Sequence, residues 1–308
     1  MLEKVRAFVS KEAVLVVAIL AAAVSCALVP FDEGYASYVD WRTLALLFCL
    51  MAVVTGLRFM GVMRLLGSWA VSRASSMRTL AFALVALTFV SSMAVTNDVA
   101  LITFVPLALV VLSEMGKGRH AAPVVVLMTV AANLGSMLLP VGNPQNLFLY
   151  RASGMGFLQF VLTMAPIAGL SAAMLVAALL IVFRGNADRP SDCASRKEHP
   201  KTTGRQGFLF VSYLFLFALS IMAVVGLIDA FAVAVLVVLV LLILDRRALT
   251  KVDYGLLLTF VALFVFVGNM ARVPAVHDAL SALVGVAPFY AAVGSSQVIS
   301  NVPAAVLL

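Results

Sequence analysis

The chain is a succession of helix-length apolar runs, and that pattern leaves it few ways to fold. Residues 12–30, 41–57, 157–183, 207–228, 229–244 and 252–268 are nearly free of charge, while 79–113, 121–151 and 279–308 are long apolar stretches with a polar interruption inside each. About 20 apolar residues in a helix cross the roughly 30 Å hydrocarbon core of a bilayer. Inside that core every backbone N–H and C=O must find its partner within the protein, which restricts spanning elements to helices and closed barrels. No two-residue alternation recurs along these runs, so barrel strands are not expected. Apolar residues make up 64% of the chain and charged ones 11%, against about half and a quarter in soluble domains. The sequence therefore predicts an all-α, polytopic transmembrane protein in contact with the lipid bilayer.

Charge sets the orientation. The net charge of +7 is no footprint for nucleic acid, because the basic residues sit in short loops between the apolar runs, as they do in cytoplasmic loops. Place the N-terminus in the cytoplasm and let 79–113 return to the side it left. Every Lys and Arg except Arg42, Arg151 and Arg272 is then cytoplasmic, and Asp32, Glu33, Asp40, Asp229 and Asp278 lie outside. The segment 58–78, with four arginines, reads as a short or amphipathic cytoplasmic helix, and 184–206, with six basic residues, as a linker. The expected location is the cell membrane, with many passes.

The sequence is poor in enzyme chemistry. Cys26, Cys49 and Cys193 are scattered, and His120, His199 and His277 fall in loops. Zinc-ligand spacing, a phosphate-binding loop and a nucleophile–base constellation are all missing from the sequence, so neither an enzyme nor an ATP-driven pump is expected. No cofactor is expected beyond a coupling Na⁺ or H⁺, and no metal beyond that Na⁺. The first apolar run ends in Pro30-Phe31-Asp32-Glu33, which is not a signal-peptide cleavage site.

The interruptions carry the functional signal. They fall at Val95-Thr96-Asn97-Asp98, at Leu139 to Asn146, and at Ser300-Asn301-Val302-Pro303. Broken helices are tolerated in hydrocarbon where they line a site: half-helix N-termini face an anion and free carbonyls hold a cation. Each break contains Asn, which both donates and accepts, and Thr96 and Ser300 add hydroxyls. Asp98 is the one acid between Asp40 and Glu114. It reads either as an ion- or proton-coupling residue or as a helix cap. The asparagines read either as ligands or as ties between helix arms.

Two halves of the chain echo each other. Val39-Asp40-Trp41 opens one span and Val252-Asp253-Tyr254 its counterpart; each then reaches a glycine, Gly56 or Gly268, and Thr96-Asn97 is matched by Ser300-Asn301. An odd number of crossings separates the units, so two inverted-topology repeats with re-entrant hairpins and broken helices are expected. The division is a first transmembrane repeat at 1–183, the basic linker at 184–206, and a linking span with an incomplete second repeat at 207–308. The second repeat stops in mid-hairpin at Val306-Leu307-Leu308, so the chain is expected to be truncated.

The motifs MAVTNDVALITFVPL, NLGSMLLPVGNPQNLFLY and SSQVISNVPAAVLL, in that order, resemble those of the ion transporter superfamily. That group includes citrate-transporter-like permeases, arsenite permeases and sodium-coupled dicarboxylate symporters. The resemblance implies a substrate and ion site at Thr96 and Asn97, at Gly142, Asn143 and Asn146, and at Ser300 and Asn301. It also implies homodimers and an elevator-like motion. The tips read Thr-Asn-Asp and Ser-Asn-Val, closer to the arsenite-permease and proton-linked branches than to the Ser-Asn-Thr of sodium-dicarboxylate members. The expected function is secondary transport of a small anion, citrate or another carboxylate, coupled to H⁺ or Na⁺, with Asp98 completing the site. Arsenite efflux and Na⁺/H⁺ antiport are the alternatives within transport, and an inert or assembly-only membrane fragment is the alternative outside it.

Overall fold

A computed structural model describes residues 12–72, 74, 76–184, 204–274, 282, 285–299 and 304–306. Among these residues the regular structure is helical and no strand occurs. The helices are α1 Ala13–Leu28, α2 Tyr35–Tyr38, α3 Trp41–Phe59, α4 Val62–Ser72, α5 Met77–Val95, α6 Asn97–Glu114, α7 Ala121–Ser136 and α8 Pro144–Ser153. They continue with α9 Phe157–Val182, α10 Gly204–Val225, α11 Ala230–Leu244, α12 Arg246–Thr250, α13 Tyr254–Ala271 and α14 Pro288–Ile299. Among the described residues six stretches are long and apolar enough to cross a bilayer: Trp41–Phe59, Met77–Val95, Asn97–Glu114, Phe157–Val182, Gln206–Val225 and Tyr254–Ala271. α1 and α11 are shorter apolar helices. The all-α, polytopic expectation holds.

Local chemistry sets the helix starts. The carboxylate of Asp40 accepts the Thr43 N–H at 3.0 Å, and that of Asp253 accepts the Leu256 N–H at 2.9 Å. The repeated Val-Asp-aromatic wording is thus a repeated N-cap, which satisfies a donor that a helix start leaves open. Asp229 caps α11 in the same way, and Ser76 with Thr79 closes a reciprocal capping box at α5.

The chain packs as two units. One comprises Met1–Met51 with Lys251–Leu308, the other Ala52–Thr250. In the first, α13 lies against α1 and α2. Its polar surprise is Asn269, which lies just past the apolar run 252–268 yet stands in the last turn of α13, fully buried. The helix runs on because the Asn269 amide finds partners across the interface, donating to Ser25 Oγ at 2.9 Å and Cys26 Sγ at 3.6 Å.

In the second unit α5, α6 and α7 form the core. Leu80, Leu84, Phe104, Leu112 and Met128 are fully buried there, with Ala81, Ala100, Ala108 and Ala131 between them. In lipid, helices associate through close packing and small residues rather than by escaping water. Gly135 of α7 shows why: a Cβ there would stand 2.2 Å from the Phe89 carbonyl oxygen of α5. α9 packs on α5 and α7 and leaves Leu158, Leu162, Leu170 and Ile181 exposed, an apolar face matched to hydrocarbon. The amphipathic segment appears as α4, which packs on α5 and α6 after a turn in which Gly61 has φ +74°.

The first two interruptions lie where the sequence puts them. Thr96 alone separates α5 from α6, and the 121–151 stretch breaks into α7, a 3₁₀ turn at Pro140–Gly142, and α8. Ser300, Asn301, Val302 and Pro303 lie outside the described residues, as do the N-terminal eleven residues and linker residues 185–203.

Candidate functional site

Thr96 is the one non-glycine residue with positive φ among the described residues, at φ 71° and ψ 148°. That region of backbone space is open to glycine and strained for a β-branched side chain. Its carbonyl already accepts the Ala100 N–H at 3.1 Å, but its hydroxyl does not cap the helix. The cap position of α6 is Thr96, so Asp98 sits inside the first turn, exposed. A carboxylate there lies at the positive end of the helix dipole.

Asn97 reaches across to α7. Its Nδ2 donates to Asn133 Oδ1 at 3.0 Å, and Asn133 Nδ2 in turn donates to the Thr129 carbonyl at 2.9 Å. Asn133 was not singled out from the sequence, although it opens the second motif.

The break after α7 is closed by amides. Ser136 Oγ donates to the Asn133 carbonyl at 3.0 Å, and Asn143 Nδ2 donates to Ser136 Oγ at 3.0 Å. Asn143 Oδ1 accepts the Asn146 N–H at 2.8 Å, so Asn143 caps α8. Asn146 Nδ2 donates to the Met137 carbonyl at 2.7 Å and the Ser136 carbonyl at 3.2 Å. A helix end leaves its last carbonyls open, and these two buried side chains fill them. Gly142 makes the approach possible, since a Cβ on it would lie 2.1 Å from the Ser136 oxygen. Pro144 at the first position of α8 gives up no hydrogen bond.

The structure thus joins the α5–α6 junction and the break between α7 and α8 into one network: Asn97, Asn133, Ser136, Asn143, Asn146. The amide donors of Asn143 and Asn146 are engaged in tying the break together, and Asp98 in the first turn of α6 is exposed. Ser300 and Asn301 lie outside the described residues. Among the described residues no group of three His, Cys, Asp or Glu is gathered as metal ligands.

A family model described as citrate transporter matches residues 3–308. The chain is 33% identical over 286 residues to the inner membrane protein YbiR of Escherichia coli K12, covering 91% of this chain and 74% of that one. It is 30% identical over 271 residues to an uncharacterized transporter of Methanocaldococcus jannaschii, covering 88% and 72%. The silicon efflux transporter LSI3 of Oryza sativa is 32% identical over 173 residues, covering 54% of this chain and 35% of its own. With helices that suit a bilayer and a family match along nearly its whole length, the chain belongs to the citrate transporter family: it is a multi-span membrane transporter of a small molecule and not an enzyme.

Proposed function

We propose that this transporter is a secondary active carrier of a small anion, citrate or another carboxylate, coupled to H⁺ or Na⁺ and working in the cell membrane with its N-terminus in the cytoplasm. The carrying observation is Thr96, a strained residue at the start of a helix that its own side chain does not cap. Backbone strain of this kind persists where the surroundings enforce it, and it clusters at ligand sites. The exposed N-terminus of α6 suits an oxyanion, and Asp98 beside it is a carboxylate suited to a coupling proton or cation. Thr96, Asn97, Asp98 and Gly142, Asn143, Asn146 form one half of the site in this reading, and Ser300 and Asn301 the other. Asn143 and Asn146 act by fixing the shape of the break, through Ser136 and the carbonyls of Ser136 and Met137.

The same reading takes 1–183 and 207–308 as inverted repeats joined by the linker 184–206. Its support is the pair of equivalent caps at Asp40 and Asp253. Two copies of the chain work as a homodimer.

The test is uptake of labelled citrate and succinate into proteoliposomes under imposed Na⁺ or pH gradients. Uptake driven by one gradient is expected, and Asp98→Asn is expected to uncouple it while the protein stays inserted. Unchanged pH or Na⁺ dependence in that variant removes Asp98 from the coupling role. A second reading, efflux of a small hydroxide acid, follows from the identity with the silicon efflux transporter; silicic acid and arsenite in the same vesicles separate the two.

A further inference from the structure

An apolar groove of about 330 Å³ runs between α10 and α11. Phe208, Ser212 and Phe215 form one wall, at positions that share a face of α10; Val240, Ile243 and Leu244 form the other, on a face of α11. Leu216, 1% exposed, is its floor. Ser212 is the small residue that gives the groove depth, and its hydroxyl is spent on the Phe208 carbonyl at 2.9 Å. The rims face outward, with Phe208 62% and Ile243 81% exposed.

The groove has a polarity along its length. Phe208 lies near the start of α10, and Leu244 ends α11, so both walls reach one mouth. Arg246 and Arg247 follow at once, and both are exposed. Arg246 Nε donates to the Leu242 carbonyl at 2.8 Å, which folds the guanidinium back over the end of α11 that carries the groove. The acid between them and the groove, Asp245, is engaged: Tyr213 Oη donates to its Oδ2 at 2.9 Å, and the Arg247 N–H donates to its Oδ1 at 3.2 Å. The apolar groove thus ends at the turn that carries two exposed arginines, Arg246 folded back over the end of α11 and Arg247 next to it in sequence.

We infer that this groove holds one acyl chain of an acidic phospholipid, whose headgroup phosphate is bound by Arg246 and Arg247. The lining is apolar apart from Ser212, whose proton is already donated to the Phe208 carbonyl, while the mouth offers positive charge at a helix end where a headgroup stands. A second copy of the chain fits less well. A two-fold contact through this face, both copies sharing one membrane orientation, sets one arginine pair against the other.

The experiment offers the purified full chain an equal mixture of phosphatidylglycerol and phosphatidylcholine with matched acyl chains. Retained lipid is read by native mass spectrometry. Wild-type protein is expected to retain phosphatidylglycerol in preference. Arg246→Gln with Arg247→Gln is expected to lower that preference by about fivefold for each arginine, leaving an acyl-bound remainder. Ser212→Trp, which fills the groove, and Ile243→Gln, which makes its rim polar without disturbing the interior, are each expected to lower total retained lipid. Equal retention of the two lipids by wild type overturns the inference, as does an unchanged preference in the double arginine variant. So does a change in the dimer population with either groove variant while bound lipid stays constant, which assigns the face to a second copy.

Discussion

The side-chain amide of Asn97 donates to Asn133 Oδ1 at 3.0 Å, and this bond ties the start of α6 to α7 one turn before that helix breaks. Interhelical hydrogen bonds in membranes contribute on average about 0.6 kcal/mol and at most about 1.7. Asn133→Ala is therefore expected to leave the protein folded, with a stability loss of about 1 kcal/mol or less. Its effect on transport is expected to be larger. On the proposed reading, in which Asn97 binds the anion, its amide freed from Asn133 loses the orientation needed for that contact, and one hydrogen bond to a charged group is worth about 1.5–3 kcal/mol, about ten- to 150-fold in rate. Thermal unfolding in detergent and vesicle uptake, measured on the same preparation, separate the two effects. Equal small losses in both would make Asn133 a structural tie alone.

Thr96 offers the opposite signature. Its φ of 71° and ψ of 148° cost about 1–3 kcal/mol for a residue with a Cβ. Thr96→Gly removes that strain, at an entropic cost of about 0.5–1 kcal/mol in the unfolded chain. The expected result is a protein more stable by up to about 2 kcal/mol and, on the proposed reading, a poorer transporter, since the hydroxyl is gone. Thr96→Ala, which keeps the strain and loses the hydroxyl, is expected to lose transport without gaining stability. Melting curves of the two variants against wild type check this.

Much of this molecule is legible in its residues because lipid imposes simple rules. Apolar runs of span length became helices, and the breaks at Thr96 and Gly142 appeared where polar residues interrupt them. Asp40 and Asp253 announced helix starts because capping is local chemistry. Asn269 misled, since a polar residue after an apolar run looks like a loop; its partner Ser25 is remote in sequence, and no local pattern reveals that the amide is buried. Asn133 was invisible as a site residue for a related reason. It interrupts nothing, and its importance comes from where the hairpin delivers Asn97. The backbone of Thr96 was equally hidden, because a β-branched residue argues against the conformation it adopts.

Gly56 and Gly268 were legible as a matched pair, and the structure gives them a common use. A Cβ on Gly56 would stand 2.0 Å from the ring of Tyr213, and one on Gly268 would stand 2.4 Å from the ring of Tyr38. Each glycine is a notch that receives a tyrosine. Gly56→Ala and Gly268→Ala are each expected to destabilise the protein by about 1–3 kcal/mol, the cost of overpacking a filled interface. Tyr213→Ala is expected to restore part of that loss in the Gly56→Ala background, and Tyr38→Ala in the Gly268→Ala background, but neither tyrosine change should rescue the other glycine. A double-mutant cycle on melting temperature reads this coupling.

The end of α13 is held by charge as well as by packing. Arg272 Nη2 meets Asp32 Oδ2 at 2.7 Å, while its Nη1 donates to Tyr38 Oη at 2.8 Å. The Asp32 Oδ1 accepts the Gly34 N–H at 3.0 Å, so the carboxylate has partners on both oxygens. The hydrogen bond from Arg272, acting against partial desolvation and reinforced by its charge and by the Gly34 N–H, holds the Asp32 carboxyl below the ordinary carboxylate range. A depressed acid stabilises the folded state above its unfolded value, about pH 4, and the benefit fades as pH falls through the lower folded value. Wild-type protein is therefore expected to melt above Asp32→Asn at neutral pH, with the gap narrowing below about pH 4. Salt is expected to narrow it too, because both groups are solvent-exposed. A gap that persists unchanged at acid pH would mean that the loop between α1 and α3 is held by Tyr38 and its neighbours, with the ion pair incidental.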